Sequence, residues 1–227
     1  MTLPELSSRL ASVRERIARA CERGGLGQQV EIVAVTKGHG AEVVRAAWDA
    51  GLRNIGENRV QEAIAKMDAV RVPVRWHLIG HLQRNKVKYL DRFDLFHALD
   101  SARLADAIEE HARRTGRRYD VLVQVNVSGE ASKGGYRLDE LPREAERLAD
   151  RKGLRVVGAM TMAPLDADEA TLRRTFRGCR EALEVLRAAG HSAVELSMGM
   201  SNDFEVAVEE GATMVRLGTI LFGAREP

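Results

Sequence analysis

The sequence predicts a (β/α)8 TIM barrel preceded by one extra helix, and three observations support this fold class. Eight short apolar, β-branched segments alternate with helical patterns, and connections of that length imply parallel neighbouring strands. Some segments, such as 33–35 and 121–123, are continuously apolar, as strands buried on both faces must be. No Pro/Gly-rich linker separates a second unit. We therefore expect one domain over residues 1–227, with an open doubly wound sheet as the alternative.

The predicted elements follow one another in a regular order. Apolar Leu6, Leu10, Val13 and Ile17 recur every three or four residues, which predicts an amphipathic helix within residues 1–25 that packs on the barrel. After it, each predicted strand is followed by a helical pattern. The predicted strands are 30–36, 53–56, 74–80, 94–99, 120–127, 154–160, 193–197 and 213–217.

Composition excludes several classes of function. Lys plus Arg (35) and Asp plus Glu (33) nearly cancel, so no global field favours nucleic acid or an anionic membrane. Cys21 and Cys179 have no metal-binding neighbours in sequence, which favours a reduced, cytoplasmic protein without a metal. Charged residues interrupt the N-terminal apolar positions, and no apolar run approaches the ~20 residues of a membrane span.

Polar residues gather at the predicted carboxyl ends of the strands, where barrels of this class carry their active sites. The alternative is that loops are polar in any case, and Ser101 after Asp100 is interpreted as a helix N-cap. The polar or small residues at these ends are Lys37, Asn58, His81, Asp100, Asn126, Thr161, Ser197, Gly218 and Thr219.

The loops after the seventh and eighth strands predict a phosphate site, because barrels commonly bind phosphate there. Gly199 and Gly218 let the backbone approach an anion, and Ser201 and Thr219 add hydroxyl donors. A helix beginning at Thr219 would direct its free N–H groups at the phosphate. Taken separately, the glycines are equally explained as turns and the serines as helix caps.

Lys37 directly follows the first strand, so its side chain should start within the barrel mouth. Beside cationic Arg216 its ammonium would be destabilised, which exposes a nucleophilic amine. A Schiff-base lysine facing a phosphate site suggests pyridoxal 5'-phosphate (PLP). The alternatives are a surface salt bridge for Lys37 and pairing with Glu or Asp for Arg216.

Arg216 would bring a particular chemistry to such a cofactor. Its guanidinium donates to a pyridine nitrogen but has no acceptor, so it cannot support protonation there. That weakens the cofactor as an electron sink and disfavours transamination.

Two further motifs are given structural interpretations. His77 and His81 lie four residues apart in a predicted strand, where this spacing does not produce a facing metal-binding pair, so His77 is expected in the core or at its rim. The basic segment 83–88 is interpreted as the solvated face of a helix.

Several sequence segments together match a known family. The chain resembles the pyridoxal phosphate homeostasis proteins over essentially its full length, with a barrel like the N-terminal domain of alanine racemase. The resemblance rests on Ala34-Val35-Thr36-Lys37, Ile55-Gly56-Glu57-Asn58-Arg59-Val60-Gln61-Glu62, Trp76-His77-Leu78-Ile79-Gly80, Leu82-Gln83, Asn85-Lys86, the segment 196–203, Met214-Val215-Arg216-Leu217-Gly218-Thr219 and Phe222-Gly223.

The resemblance implies PLP held covalently on Lys37, its pyridine nitrogen near Arg216 and Asn58 in the same pocket. It also implies that the phosphate is held around Ser201, Gly218 and Thr219. The candidate cofactor-binding residues are Lys37, Asn58, Ser197, Met198, Gly199, Ser201, Arg216, Gly218 and Thr219, and no catalytic or metal-ligating residue is assigned. Two departures from the family are noted, at His81 and at Gly38-His39-Gly40.

The resemblance also implies a carrier or buffer of PLP in vitamin B6 homeostasis without robust turnover. Nothing after Phe222 would encode the second domain of alanine racemase. We therefore expect a monomer and no two-base racemisation. PLP-dependent apoenzymes are candidate recipients. A PLP-dependent racemase or lyase, and a phosphosugar aldolase using Lys37, remain the alternatives.

Overall fold

Eight parallel strands pair in sequential order and close into a barrel in the computed structural model, which describes residues 2–129 and 134–223. The last strand pairs with the first, which excludes the open sheet and confirms the predicted fold class. The strands are β1 (Glu31–Val35), β2 (Asn54–Glu57), β3 (Arg75–Leu78), β4 (Leu95–Leu99), β5 (Tyr119–Gln124), β6 (Leu154–Met160), β7 (Glu195–Ser197) and β8 (Met214–Leu217).

The helices lie between the strands, with one helix in front of β1. They are α1 (Leu3–Gly24), α2 (Glu42–Asp49), α3 (Val60–Ala69), α4 (Ala102–Thr115), α5 (Leu141–Ala149), α6 (Glu169–Ala188), α7 (Phe204–Glu209) and α8 (Thr219–Phe222). The basic segment after β3 forms a 3₁₀ helix, Arg84–Arg92, in which Val87 and Leu90 are buried.

Three observed strands, β1, β3 and β5, end earlier than predicted, because the strand-like sequence pattern continues past the last residue of the strand. The clearest case is β5, predicted to reach residue 127. The Tyr136 N–H donates to the Gln124 carbonyl, and the Tyr136 carbonyl accepts from the Asn126 N–H. The segment around Tyr136 therefore pairs with the chain at the end of β5.

The helix α1 begins with a capping box, in which Thr2 and Glu5 satisfy each other's backbone N–H groups. Its apolar stripe is buried, and the helix packs mainly against α7 and α8. Arg9 also donates to the Leu221 carbonyl at 3.1 Å. The assignment of residues 1–227 to a single domain stays a prediction; residues 1, 130–133 and 224–227 lie outside the described part of the chain.

Strand register determines which side chains enter the barrel. Residues opposite one another in a parallel pair share a face, and successive residues alternate. Val33 pairs with both Asn54 and Arg216, and Gly56 pairs with His77, so these positions all face the interior. The interior of this barrel therefore contains several polar side chains.

Within the described residues, no helix has the length and apolar character needed to cross a membrane. Over the same residues, no group of three or more His, Cys, Asp or Glu side chains is arranged to hold a metal ion.

Candidate functional site

The loops after β7 and β8 lie against each other at the barrel mouth. Ser201 Oγ accepts a hydrogen bond from the Ile220 N–H at 3.3 Å, and the Arg216 N–H donates to the Gly199 carbonyl at 2.9 Å. Gly199 has φ +90°, and a Cβ there would lie 2.6 Å from Ala207 Cβ. Only glycine lets the loop follow this path. The structure thus brings together the two loops that the sequence singled out for phosphate.

Arg216 lies inside the barrel and is buried. Its Nη1 donates to the carbonyl and the hydroxyl of Ser197, both at 2.7 Å, and its Nη2 donates to the Thr161 carbonyl at 2.9 Å. These acceptors are uncharged, so this is not the carboxylate-paired arginine considered as an alternative. Burial lowers the pKa of Arg216 to about 10, opposed by the Asp203 charge, and the guanidinium stays positive at neutral pH. The guanidinium has further N–H donors that these three bonds do not use.

Lys37 lies two residues beyond β1 and is half-buried. The Thr36 N–H still bonds to the Gly56 carbonyl, so strand alternation continues past β1 and directs Lys37 to the interior side of the mouth. Side chains of α3 hold the peptide groups on both sides of Lys37 by hydrogen bonds. Lys66 Nζ donates to the Thr36 carbonyl at 2.7 Å, and the Gly38 N–H donates to Glu62 Oε1 at 2.6 Å.

A buried charged cluster supports this turn and was not predicted from the sequence. Glu57, with no exposed surface, accepts from Thr36 Oγ1 and from Lys66 Nζ, each at 2.5 Å. Lys66 Nζ also donates to Glu62 Oε1 at 2.9 Å. Burial raises the pKa of Glu57, although the hydrogen bonds from Lys66 and Thr36 oppose the rise. The available signals were an acid within an apolar strand and the i, i+4 spacing of Glu62 and Lys66.

Three other candidate residues take different positions. Asn58 is half-buried after β2, and the backbone there comes so close that a Cβ on Gly80 would lie 2.3 Å from the Asn58 carbonyl oxygen. Met198 is fully buried in the hydrophobic core, so only its backbone could face a ligand. Thr219 is exposed at the start of α8.

The ends of β3 and β4 form a second part of the mouth. His81 Nδ1 lies 2.7 Å from Asp100 Oδ2, beside a cavity of about 450 Å³ that also includes Arg84 and Arg103. Ser101 occupies the N-cap position of α4, but its side chain makes no capping hydrogen bond. The predicted cap is therefore correct in position and wrong in its bonding.

The residue behind Ser197 is His97, which was not among the residues predicted for the site. Its Nδ1 lies 2.9 Å from Ser197 Oγ, and its Nε2 lies 2.9 Å from Nδ1 of His77. Both histidines are completely buried, which confirms the core position expected for His77. The sequence signal that could have revealed His97 is a polar residue within the apolar segment of β4.

Comparisons with known proteins agree with this arrangement. The family "Alanine racemase, N-terminal domain" matches residues 8–226. The chain is 44% identical to a pyridoxal phosphate homeostasis protein of Aquifex aeolicus, with 96% of this chain and 97% of the relative covered. A pyridoxal phosphate homeostasis protein of Pseudomonas aeruginosa is 39% identical, with coverage of 97% and 96%. Among solved structures, PipY of Synechococcus elongatus with PLP bound has a TM-score of 0.84 at 37% identity, covering 96% of this chain and 100% of PipY.

Proposed function

The chain belongs to the alanine racemase N-terminal domain family and, within it, to the pyridoxal phosphate homeostasis proteins, and from this premise we propose that it binds PLP and serves intracellular vitamin B6 homeostasis. In this proposal Lys37 carries PLP as a Schiff base, and the protein stores or delivers the cofactor without robust turnover. PLP-dependent apoenzymes are the proposed recipients, and a cytoplasmic monomer is the proposed form.

One arrangement carries the proposal: Arg216 is buried on uncharged acceptors, its strand β8 pairs with β1 ahead of Lys37, and the loops after β7 and β8 are hydrogen-bonded to each other. A buried cation with unused donors suits an uncharged acceptor such as a pyridine nitrogen. The amine of a half-buried lysine suits an aldehyde, and glycine-lined loops with hydroxyls suit a phosphate. The residues present fit PLP in all three respects.

Each residue has a defined task in this site. Lys37 would hold PLP through its amine, as a reversible Schiff base with the cofactor's aldehyde. Ser201, Gly218 and Thr219 hold the phosphate, while Gly199 sets the path of the loop and Ser197 holds Arg216. Asn58, after β2, lines the same pocket.

The proposal of storage without robust turnover rests on Arg216. When bound, PLP supplies an electrophilic carbon and a ring that withdraws electrons, most strongly when its nitrogen is protonated. A guanidinium offers that nitrogen a hydrogen bond but transfers no proton, since Arg216 remains charged at neutral pH. The site would then assist carbanion chemistry of the cofactor only weakly.

The first test is the absorption spectrum of the purified protein with PLP, followed by borohydride reduction and peptide mass mapping. We expect a yellow protein and a pyridoxyl group on Lys37. The Lys37→Arg variant should lose the yellow colour and the label, while Lys88→Arg, which changes an exposed lysine of the 3₁₀ helix, should retain both. Labelling at another lysine, or no labelling at all, would remove the proposed attachment.

A second measurement separates a carrier from an enzyme. The PLP-loaded protein is incubated with a panel of amino acids in deuterated water, and deuterium at the α-carbon is followed with time. A carrier gives at most one exchange per protein over hours. Steady exchange with many turnovers would instead establish a PLP-dependent racemase or lyase.

A further inference from the structure

A continuous line of hydrogen bonds crosses the inside of the barrel, starting behind the proposed site. Ser197 Oγ lies 2.9 Å from His97 Nδ1, and His97 Nε2 lies 2.9 Å from His77 Nδ1. His77 Nε2 then lies 3.1 Å from Asn54 Oδ1. Asn54 Nδ2 donates to Glu31 Oε2, also at 3.1 Å. Side chains from β7, β4, β3, β2 and β1 thus form one line.

The line is buried except at its far end. His77 and His97 have no exposed surface, and Asn54 is 7% exposed. Glu31 is different, because its side chain is 51% exposed and lies 3.8 Å from Arg75 at the amino end of the strands. The line therefore connects the mouth with the opposite end of the barrel.

The Glu31 end determines the direction in which the bonds donate, and the Arg216 end agrees with it. At the mouth, Arg216 is donor-only, so Ser197 Oγ accepts from it and keeps its own proton available for donation to His97. At the other end the Glu31 carboxylate is acceptor-only, so Asn54 presents its NH₂ to Glu31 and its oxygen to His77. The Glu31 end imposes a direction of donation that runs from Ser197 to Glu31 once both histidines are neutral, and the bond from Arg216 to Ser197 agrees with it.

The histidines are neutral, which makes the assignment unique. Burial lowers the pKa of His77 to about 3 and that of His97 well below its ordinary value, with the Arg216 charge adding to the effect on His97. A neutral imidazole has one donor and one acceptor nitrogen. In this direction both histidines accept at Nδ1 and carry their proton on Nε2.

We propose that this line is a one-way hydrogen-bond relay that positions Arg216 for an acceptor nitrogen of the bound ligand, with Ser197, His97 and His77 as positioning residues. The inference deepens the proposed function and rests on it, because the acceptor is the ring nitrogen of PLP. Every member donates away from Arg216, so none presents a proton toward the ring. The relay fixes the guanidinium and leaves the ring nitrogen with a hydrogen bond alone.

Histidine tautomers test the relay without any ligand. Long-range ¹⁵N–¹H correlation spectra of the unliganded protein are recorded between pH 6 and 8, with the two signals assigned through His77→Gln and His97→Asn. We expect two neutral imidazoles with the proton on Nε2. A proton on Nδ1 of either ring, or an imidazolium, would overturn the relay, whether or not the protein binds PLP.

PLP titration tests the positioning role. Ser197→Ala and His97→Phe should weaken PLP binding about tenfold and shift its absorption maximum, since each removes a polar link behind a charged donor. His97→Asn keeps an acceptor for the Ser197 hydroxyl, so its affinity for PLP should lie between those of the wild type and His97→Phe. His111→Gln is the matched control, because His111 is also buried and hydrogen-bonded, to Asp91 at 2.9 Å outside the barrel interior.

The outcomes separate the two proposals. Wild-type PLP affinity and an unchanged spectrum in both Ser197→Ala and His97→Phe would overturn the positioning role while the proposed function stands. If the wild-type protein binds no PLP, the proposed function fails together with the role toward the ring nitrogen, and the tautomers alone then decide whether the relay exists.

Discussion

At the scale of single residues, the mouth depends on backbone positions as much as on side chains. Gly199 takes φ +90° and lies so close to α7 that a Cβ would be 2.9 Å from Phe204 Cα. Gly218 approaches β1, with its virtual Cβ 3.3 Å from the Val35 carbonyl oxygen. The first contact holds the β7 loop against α7, and the second brings the β8 loop close to the strand that precedes Lys37.

Replacement of Gly199 separates backbone strain from close contact. We expect Gly199→Ala to lower the free energy of unfolding by about 2–4 kcal/mol, since it adds steric overlap to a left-handed conformation. Gly190→Ala is the matched control, because Gly190 has φ +89° and no neighbour within 4 Å of a Cβ. It should cost only about 1–2 kcal/mol. Urea unfolding measures both, and equal losses would show that contact with α7 is unimportant.

At the scale of elements, β1, β2 and α3 are joined behind the Lys37 turn. Lys66 on α3 reaches the Thr36 carbonyl and the Glu57 carboxylate, while Glu62 holds the Gly38 N–H. The helix therefore fixes both peptide groups flanking Lys37. Removing one buried charge leaves its partner uncompensated, which is more damaging than removing both.

Lys66→Met should lower the free energy of unfolding by about 3–5 kcal/mol, because the Glu57 carboxylate is then buried without its cation. The double variant Glu57→Gln/Lys66→Met should recover a large part of that loss. Lys88→Met, at an exposed lysine, should stay within about 0.5 kcal/mol of wild type. Urea midpoints give all three values, and additive losses in the double variant would contradict the coupling.

At the scale of the whole molecule, the interior of the barrel contains polar as well as apolar side chains. Strands that are far apart in sequence form side-chain hydrogen bonds across it. Ser197 and His97, which are a hundred residues apart in sequence, meet only because the barrel is closed. Two neutral histidines in such a layer make the whole fold sensitive to acid.

Stability should fall as the pH drops below about 6.5. The pKa of His77 is lowered to about 3 and that of His97 is also lowered, so the unfolded chain binds protons that the folded chain does not. Stability is fully present above the unfolded pKa and is lost at about 1.4 kcal/mol per pH unit for each histidine. The raised pKa of Glu57 acts in the opposite direction.

Urea unfolding at pH 7.5, 6.5 and 5.5 measures this loss. We expect little change over the first step and a fall of up to about 2.7 kcal/mol over the second. His77→Gln removes one of the two groups and should reduce the slope by about half. A wild-type stability that is constant from pH 6.5 to 5.5 would contradict the burial of two neutral histidines.

The sequence by itself determined the alternation of strands and helices, the (β/α)8 class and the residues at the strand ends, because these follow from local periodicity and chain order. Lys37, Gly199, Ser201 and Arg216 were selected because each lies near the carboxyl end of a predicted strand. Strand ends were less accurate, since hydrophobicity continues beyond the last ladder bond, as at β5.

Only the tertiary structure decided which buried polar residues meet. The partners of Arg216, the cluster of Glu57 and Lys66, and the line from Ser197 to Glu31 depend on strand register and barrel closure. Register is a property of pairs of strands distant in sequence, and no local pattern contains it. A histidine in an apolar strand has the same local sequence whether it faces a helix or the barrel interior, so the role of His97 became visible only in the folded chain.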